Sequence, residues 1–322
     1  MPIESVQIRG DGVAAWCCAL LLSKRGCAVS IDRPAERKRP WILVSDPVQR
    51  LLCDLADDRD LFRGAAQVRK RTVAWGRGSE PRTYEHSAAL VAEQELLSRL
   101  WPTIPQSAGN ADWTITASGL ADGPGVMSFG SRRAFIAEVE LNGAREECCI
   151  ESFESGWLFL IAGREPTGSL IAVGAEPAEL LESSRLIRDQ IRAIAGVHGG
   201  VPAHPRILSP VFGDRWLACG TAAMTLDPLC GDGCGHAVRE AILAAAVLHG
   251  GAEAAMLEHY QSRLRLAFER HLDLSRSYYS SGGPGAWWDR QTELLDQGLD
   301  WARAHAANRW RYRLMGFDLI PI

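Results

Sequence analysis

Two glycine-rich stretches hold the residues best suited to chemistry. The first runs Gly10-Asp11-Gly12-Val13-Ala14-Ala15-Trp16, and the second runs Leu226-Asp227-Pro228-Leu229-Cys230-Gly231-Asp232-Gly233-Cys234-Gly235-His236. In each, a strand is expected to hand over to a helix. In the first, Gly10 permits a tight turn, Gly12 lets the backbone approach a pyrophosphate, and Ala15 lets the helix pack on the strand. Val13, Ala14 and Ala15 open that helix, whose backbone N–H groups and partial positive charge suit phosphate oxygens. Asp32 lies 20 residues beyond Gly12, where an acid accepts hydrogen bonds from an adenosine ribose. The chemistry implied is the holding of a dinucleotide.

The elements that must position these residues follow from local pattern. A strand over Ser5–Arg9, a helix over Val13–Arg25 stopped by Gly26, and a strand over Ala28–Ile31 form one βαβ unit. Helices are expected over Asp46–Asp57, Ala88–Leu100 and Pro177–Ala195, and strands over Val68–Trp75 and Asp112–Ala117. Ala134–Val139, Cys148–Ile150, Gly156–Ala162 and Leu170–Val173 read as an antiparallel sheet. Trp216–Cys219 is a strand before the second glycine stretch. Helices are then expected over Gly235–Leu248, Glu253–Arg276 and Trp288–Trp310, with an apolar tail from Phe317 to Ile322. The domain division predicted is a discontinuous nucleotide domain (1–60, 86–120, 205–250), a substrate domain (61–85, 121–204) and a helical region (251–322).

Composition excludes several classes. A net charge of −4 gives no support for nucleic-acid binding. No run of about 18 apolar residues exists, so no membrane span is expected. A strand beginning by Val6 leaves no room for a leader. Nine cysteines without framework spacing read as reduced thiols in a cytoplasm. Cys230 and Cys234 lack partners at zinc spacing, so no metal is expected.

The motifs, taken in order, resemble the flavin-dependent tryptophan halogenases and the wider group of flavin monooxygenases. Gly10-x-Gly12-x-Ala14-x-Trp16 is similar to their opening signature. Gly156-Trp157-Leu158-Phe159-Leu160-Ile161-Ala162 is similar to Trp-x-Trp-x-Ile-Pro. Ala117-Ser118-Gly119 is similar to Ala-Thr-Gly, and Gly220-Thr221-Ala222-Ala223 through Asp227-Pro228 to Gly-Asp-Ala-Ala…Asp-Pro. The resemblance implies an α/β fold: a Rossmann-type FAD-binding domain of the GR2 kind, an inserted mixed β-sheet substrate domain and C-terminal helices. It implies FAD held by Gly10, Gly12, Val13, Ala14, Ala15, Asp32, Ser118, Gly119, Gly220, Thr221, Asp227, Pro228, Gly231, Gly233, Cys234 and Gly235. Reduced flavin carries negative charge along one edge, and the glycines of the second stretch can present bare N–H groups there.

The activity implied is monooxygenation of an aromatic, indole-type carbon. The substrate is an aromatic small molecule or a tryptophan in a protein or peptide, as in maturation of a quinone cofactor. Dehydrogenation, halogenation and a non-catalytic FAD-binding role are the alternatives. Thr221 stands where the group has an acid. Where halogenases carry a lysine this chain has Gln67, with Lys70 a loose substitute, so oxygenation is preferred to halogenation. With a single nucleotide fingerprint, electrons are expected from a flavin reductase or from transient NAD(P)H.

Four residues are candidates for catalysis, each with a plainer alternative. Trp157 and Phe159 line an aromatic pocket or pack a core. Cys230, like Cys234, faces the flavin or is buried filler. His236 is an acid/base or a helix-start residue. Trp287-Trp288 forms an exposed lid or packs the last helix.

Overall fold

The N-terminal elements follow from which residues must leave water. β1 (Ser5–Arg9) buries Val6 and Ile8 completely, and α1 (Val13–Lys24) buries every residue from Val13 to Leu22. A helix apolar all round has to be covered on all sides, and the remaining elements supply the cover. The computed structural model describes residues 3–33, 41–104, 111–120, 123–163, 165–306 and 311–322. After β2 (Ala28–Asp32) come β3 (Trp41–Ser45), α2 (Asp46–Ala56), β4 (Ala66–Ala74), β5 (Arg82–Ala92) and α3 (Glu93–Leu100). Next are β6 (Trp113–Thr116), β7 (Val126–Ser128), β8 (Arg133–Leu141), β9 (Glu147–Phe153), β10 (Gly156–Ala162) and β11 (Thr167–Val173). α4 (Pro177–Ser183) leads into β12 (Ile191–Pro202), β13 (Arg206–Leu208), β14 (Phe212–Gly213), β15 (Trp216–Ala218) and β16 (Met224–Thr225). α5 (Gly233–His249), α6 (Ala254–Tyr279) and α7 (Ala286–Ala304) precede a hairpin of β17 (Tyr312–Met315) and β18 (Asp318–Pro321).

The first sheet has the order β14-β15-β6-β1-β2 and is parallel from β15 to β2. Backbone bonds tie its strand ends in a row. Gly10 donates to the Asp32 carbonyl at 2.9 Å, Ala117 to Arg9 at 2.8 Å, and Cys219 to Thr116 at 2.9 Å. These are carboxyl ends of parallel strands, where open α/β sheets hold ligands. Small residues let the flanking helices close on each other. Cys18 Sγ of α1 lies 3.6 Å from the Ala241 carbonyl of α5 and 3.7 Å from Cys219 Sγ.

The second sheet is mixed, with the order β12-β8-β11-β10-β9-β4-β5-β3. β10 is buried along its whole length because both its faces are covered. Trp157, Phe159 and Ile161 enter the large core shared with α1 and α5, whereas Leu158, Leu160 and Ala162 enter a smaller core with Leu180 and Ile187. β16, β13 and β7 form a third, three-stranded sheet in the order β16-β13-β7.

The structure departs from several expectations. Ala88–Ala92 is strand, not the start of a helix, because it pairs with β3 and β4, and strand pairing outweighs the helix propensity of Ala and Leu. The helix from Pro177 stops at Ser183. Ser184 Oγ donates to the buried Glu151 carboxylate and accepts from the N–H groups of Ile187 and Arg188, and the chain leaves as the edge strand β12. The last helix ends at Ala304, and 307–310 lie outside the described residues. The tail after it forms a hairpin. The domain boundaries at 60 and 86 also divide the second sheet, since β3 precedes the first and β5 spans the second.

Gly156 opens β10 at a close backbone crossing. Its φ is +155° and an added Cβ would stand 2.0 Å from the Val173 carbonyl oxygen. Gly78 has φ +67° but nothing within 4 Å of the same position. Gly156→Ala is expected to lower unfolding free energy by at least about 3 kcal/mol, and Gly78→Ala by about 1–2 kcal/mol. Urea denaturation of both variants measures the difference.

Candidate functional site

Gly10, Ser118, Ala14 and Gly220 meet at the carboxyl edge of the first sheet. Gly10 has φ +141°, and a Cβ there would stand 2.9 Å from Ser118 Oγ. Gly220 has φ +55°, and its Cβ would stand 2.8 Å from that of Ala14 and 3.1 Å from the Ala117 carbonyl oxygen. The first glycine loop, the Ala117-Ser118-Gly119 turn and the Gly220-Thr221 turn are therefore one surface, although some two hundred residues separate Gly10 from Gly220. Leu120 adds a bond from its N–H to the Thr221 carbonyl at 3.1 Å.

Gly12 is the N-cap of α1 in an extended conformation, and no side chain caps the helix. The first turn of α1, with Val13, Ala14 and Ala15, contains no acid to oppose the positive helix end. Asp32 ends β2 beside Gly10 with its side chain exposed. Trp101 Nε1 donates to the Asp11 carbonyl at 3.0 Å, and the Arg33 guanidinium lies 4.3 Å over the Trp101 ring. An aromatic and a cation thus border the Asp32 end of the groove.

The second glycine stretch turns through Pro228–Cys230 into α5. Gly231 has φ +65°, so a left-handed turn falls where glycine meets no Cβ penalty. Asp232 is the N-cap of α5 but makes no side-chain cap, because its carboxylate pairs with Arg239. The first turn, with Gly233, Cys234 and Gly235, carries no acid. At Gly235 a Cβ would stand 2.9 Å from Val48 Cγ2 of α2. The two stretches thus supply two uncapped helix N-termini.

Asp227 departs from its expected role as a cofactor contact. It is 2% exposed and both carboxylate oxygens are used inside the protein. Oδ1 accepts the Leu229 N–H at 2.9 Å; Oδ2 accepts the Tyr279 hydroxyl at 2.8 Å and lies 3.1 Å from Arg132 Nη2. Tyr279 accepts the Trp157 indole N–H at 2.9 Å, and Arg132 Nη1 donates to Gln291 Oε1 at 3.2 Å. The Asp227 N–H donates to His271 Nε2 at 2.8 Å. Burial raises the Asp227 carboxyl, with Arg132 opposing. Asp227 is a positioning residue that locks the Pro228–Gly235 loop to the second sheet, α6 and α7.

The four catalytic candidates change character. Trp157 is fully buried and Phe159 is 3% exposed, so both seal a wall of the core. Burial pushes the Cys230 thiol up to about 12, as it does Cys234, so neither is a thiolate nucleophile at neutral pH. His236 is half-buried and lowered by burial and then by Arg239; it faces the gap between α5 and α6. His271 is pushed down to about 3 by burial, and then by His236 and Arg132, so it stays neutral and accepts a hydrogen bond. Trp288 is 1% exposed and edge-packed on Trp75 and Trp287, which is packing rather than an open lid.

Sequence reasoning missed Arg71 and Glu240. Arg71 of β4 reaches the second glycine loop, with Nη2 3.7 Å from the position of a Gly231 Cβ and 3.3 Å from His86 Nε2. Its Nε is buried and has no hydrogen-bond partner. Burial and Arg71 lower His86, so it is a neutral acceptor. Neighbouring Lys70 is exposed, and Gln67 Nε2 donates to the Ala65 carbonyl at 3.5 Å. Glu240 of α5 is 6% exposed and accepts the Gly220 N–H at 2.9 Å, fixing that turn from behind. A lone acid among the apolar residues of α5 was the available signal. For Arg71 no signal existed, because its partners lie on other elements.

No protein-family profile and no curated protein matches the chain. Solved structures do, and they show the fold. The peptidyl tryptophan dihydroxylase QhpG superposes with TM-score 0.76 at 18% identity, over 100% of this chain and 86% of that one. The flavin-dependent halogenase CmlS gives 0.74 at 21% identity, over 97% and 72%. The 2,6-dihydroxypyridine-3-hydroxylase of Arthrobacter nicotinovorans gives 0.69 at 14% identity, over 88% and 95%. The chain has the α/β fold of these proteins, as its motifs predicted. Among the described residues no helix is long and apolar enough to cross a membrane, and no group of three or more His, Cys, Asp or Glu could hold a metal.

Burial raises the Glu240 carboxyl to about 8, with the Gly220 N–H and Arg239 opposing. The folded protein therefore holds a proton that the unfolded chain releases near the usual pKa of about 4.3. Between those values the folded state binds more protons, so stability falls as pH rises, by about 1.4 kcal/mol per pH unit. Glu240→Gln, which keeps the acceptor oxygen, is expected to flatten this slope between about pH 5 and 8. Denaturant midpoints at both pH values check it.

Proposed function

We propose that this protein is an FAD-dependent oxidoreductase that adds oxygen to an aromatic, indole-type ring. The observation that carries the reading is the meeting of Gly10, Ala14, Ser118 and Gly220, where a Cβ at Gly10 or Gly220 would collide with the neighbouring turn, so that glycine alone lets the three turns close into one surface suited to a dinucleotide. The residues fit FAD along its length. Gly12, Val13, Ala14 and Ala15 hold the pyrophosphate at the N-terminus of α1. Asp32 takes the ribose hydroxyls, and Ser118, Gly119, Gly220 and Thr221 border the linking chain. Gly231, Gly233, Cys234 and Gly235 meet the ring at the N-terminus of α5, with Pro228 shaping the turn. FAD supplies the two-electron chemistry with O₂ that no side chain here can supply.

The chain's own residues do the rest. The N-terminus of α5 and the Arg71 guanidinium place positive charge where the reduced ring is negative. Trp157 and Phe159 close the core behind the site and exclude water. Cys230 and His271 remain neutral and add no competing base. Arg71, rather than a lysine, reaches the loop, which favours oxygenation over halogenation. Electrons come from a flavin reductase or from NAD(P)H bound transiently. All nine cysteines are unpaired, in keeping with a reducing compartment such as the cytoplasm.

A second reading is oxidation of a tryptophan within a protein. It is favoured by the superposition of the whole chain on a peptidyl tryptophan dihydroxylase.

The purified chain is expected to take up one FAD and show a flavin spectrum. Reduced without air and then mixed with O₂ and an indole, it should yield a product heavier by one oxygen atom. A tryptophan-bearing peptide oxidised in place of free indoles would select the second reading. No FAD uptake overturns the flavoprotein assignment, and uptake without any oxygenated product overturns oxygenation. Separately, Arg71→Gln is expected to lower the flavin midpoint potential by roughly 30 mV, a tenfold loss in preference for the reduced form. Arg71→Lys should restore part of it, read by spectroelectrochemistry.

A further inference from the structure

α5 and α6 do not close on each other along their whole length. Between them lies a cavity of about 800 Å³, on a side of α5 turned from α1 and closed at one end by the C-terminal hairpin. Leu243 of α5, Leu264 and Leu274 of α6, and Tyr312, Leu314 and Ile322 give it apolar walls. Leu274 is 43% exposed, Leu314 39% and Ile322 73%, so these walls face water. Arg239, Arg263, Arg270 and Arg313 line the same space. The two acids among the lining residues are both engaged: Asp232 pairs with Arg239, and Glu240 accepts the Gly220 N–H. The electrostatic balance of the cavity is therefore positive.

Size and lining together indicate a small-molecule site. Ligand pockets of about 300–1,000 Å³ combine apolar walls with a few polar groups that orient the ligand. Guanidinium groups favour carboxylates, which they can bind through two parallel hydrogen bonds. We propose that this cavity is a second binding site, separate from the dinucleotide groove, for an amphipathic carboxylate with an acyl or aryl body. The body lies on Leu243, Leu264 and Leu274, and the carboxylate is answered by Arg270 and Arg313. His236 and His271 reach the same cavity, and His271 holds the Asp227 N–H, so an occupant lies directly behind the second glycine loop.

The proposal does not depend on FAD, and the test runs on the chain as purified, with FAD saturating if it binds. Isothermal titration with decanoate is expected to show one saturable site per chain, and decanol should bind at least tenfold more weakly. Ala267→Trp, which fills the cavity from α6, should abolish binding. Ile322→Asp, at a largely exposed position that leaves the core untouched, should weaken it at least tenfold, as should the Arg270→Glu/Arg313→Glu pair. Absence of saturable decanoate binding would overturn the site. Equal affinity for decanol, or affinity unchanged in Ile322→Asp and the double charge reversal, would overturn the recognition of the carboxylate at this place. Saturable binding only of an acidic peptide, with none of decanoate, would also overturn it.

Discussion

The buried pair of Arg132 and Asp227 is the constraint around which the site is arranged. Both side chains are fully withdrawn from water, 3.1 Å apart. An ion taken out of water costs several kcal/mol unless its partners replace the lost hydration. Leu229 and Tyr279 satisfy Asp227, whereas Arg132 has Gln291, the Asp227 carboxylate and the face of the Tyr279 ring, and its Nε has no hydrogen-bond partner. The pair contributes little net stability compared with a well-packed apolar replacement. What it contributes is position: Asp227 can be satisfied only when β8, the second glycine loop, α6 and α7 stand in one arrangement. The loop that starts α5 inherits its place from that requirement.

A second constraint is the close approach of α1 and α5. Both helices are dominated by small and apolar residues, and both begin without a side-chain cap or an acid in the first turn. A helix usually gains about 1 kcal/mol from a cap, so each uncapped start leaves N–H groups and positive potential at its end. Glu240 and Arg71 complete this arrangement from opposite sides. One fixes the Gly220 turn from within α5, and the other reaches the Gly231 turn from the second sheet.

The local part of this design was legible in the residues. The first βαβ unit, its glycines and Asp32 fall where spacing placed them, because strand, turn and helix there depend on neighbours within thirty residues. Ala88–Ala92 was misread because Ala and Leu favour helix in isolation, and only pairing with β3 and β4 reveals the strand. Trp157 and Phe159 matched a motif, but a motif does not show that β10 is covered on both faces. Arg132 and Tyr279 carried no local sign, since a buried charge is recognised only by its partner, and the partner lies far away in the chain.

That distance has a consequence for how the protein is made. Synthesis proceeds from the N-terminus, and domains begin to fold as they emerge. When the ribosome has delivered His236, every residue of both glycine stretches is present. Tyr279 and Gln291, which hold Asp227 and Arg132, are not. The nascent chain must carry an unfinished cradle until its last long helix has left the exit tunnel.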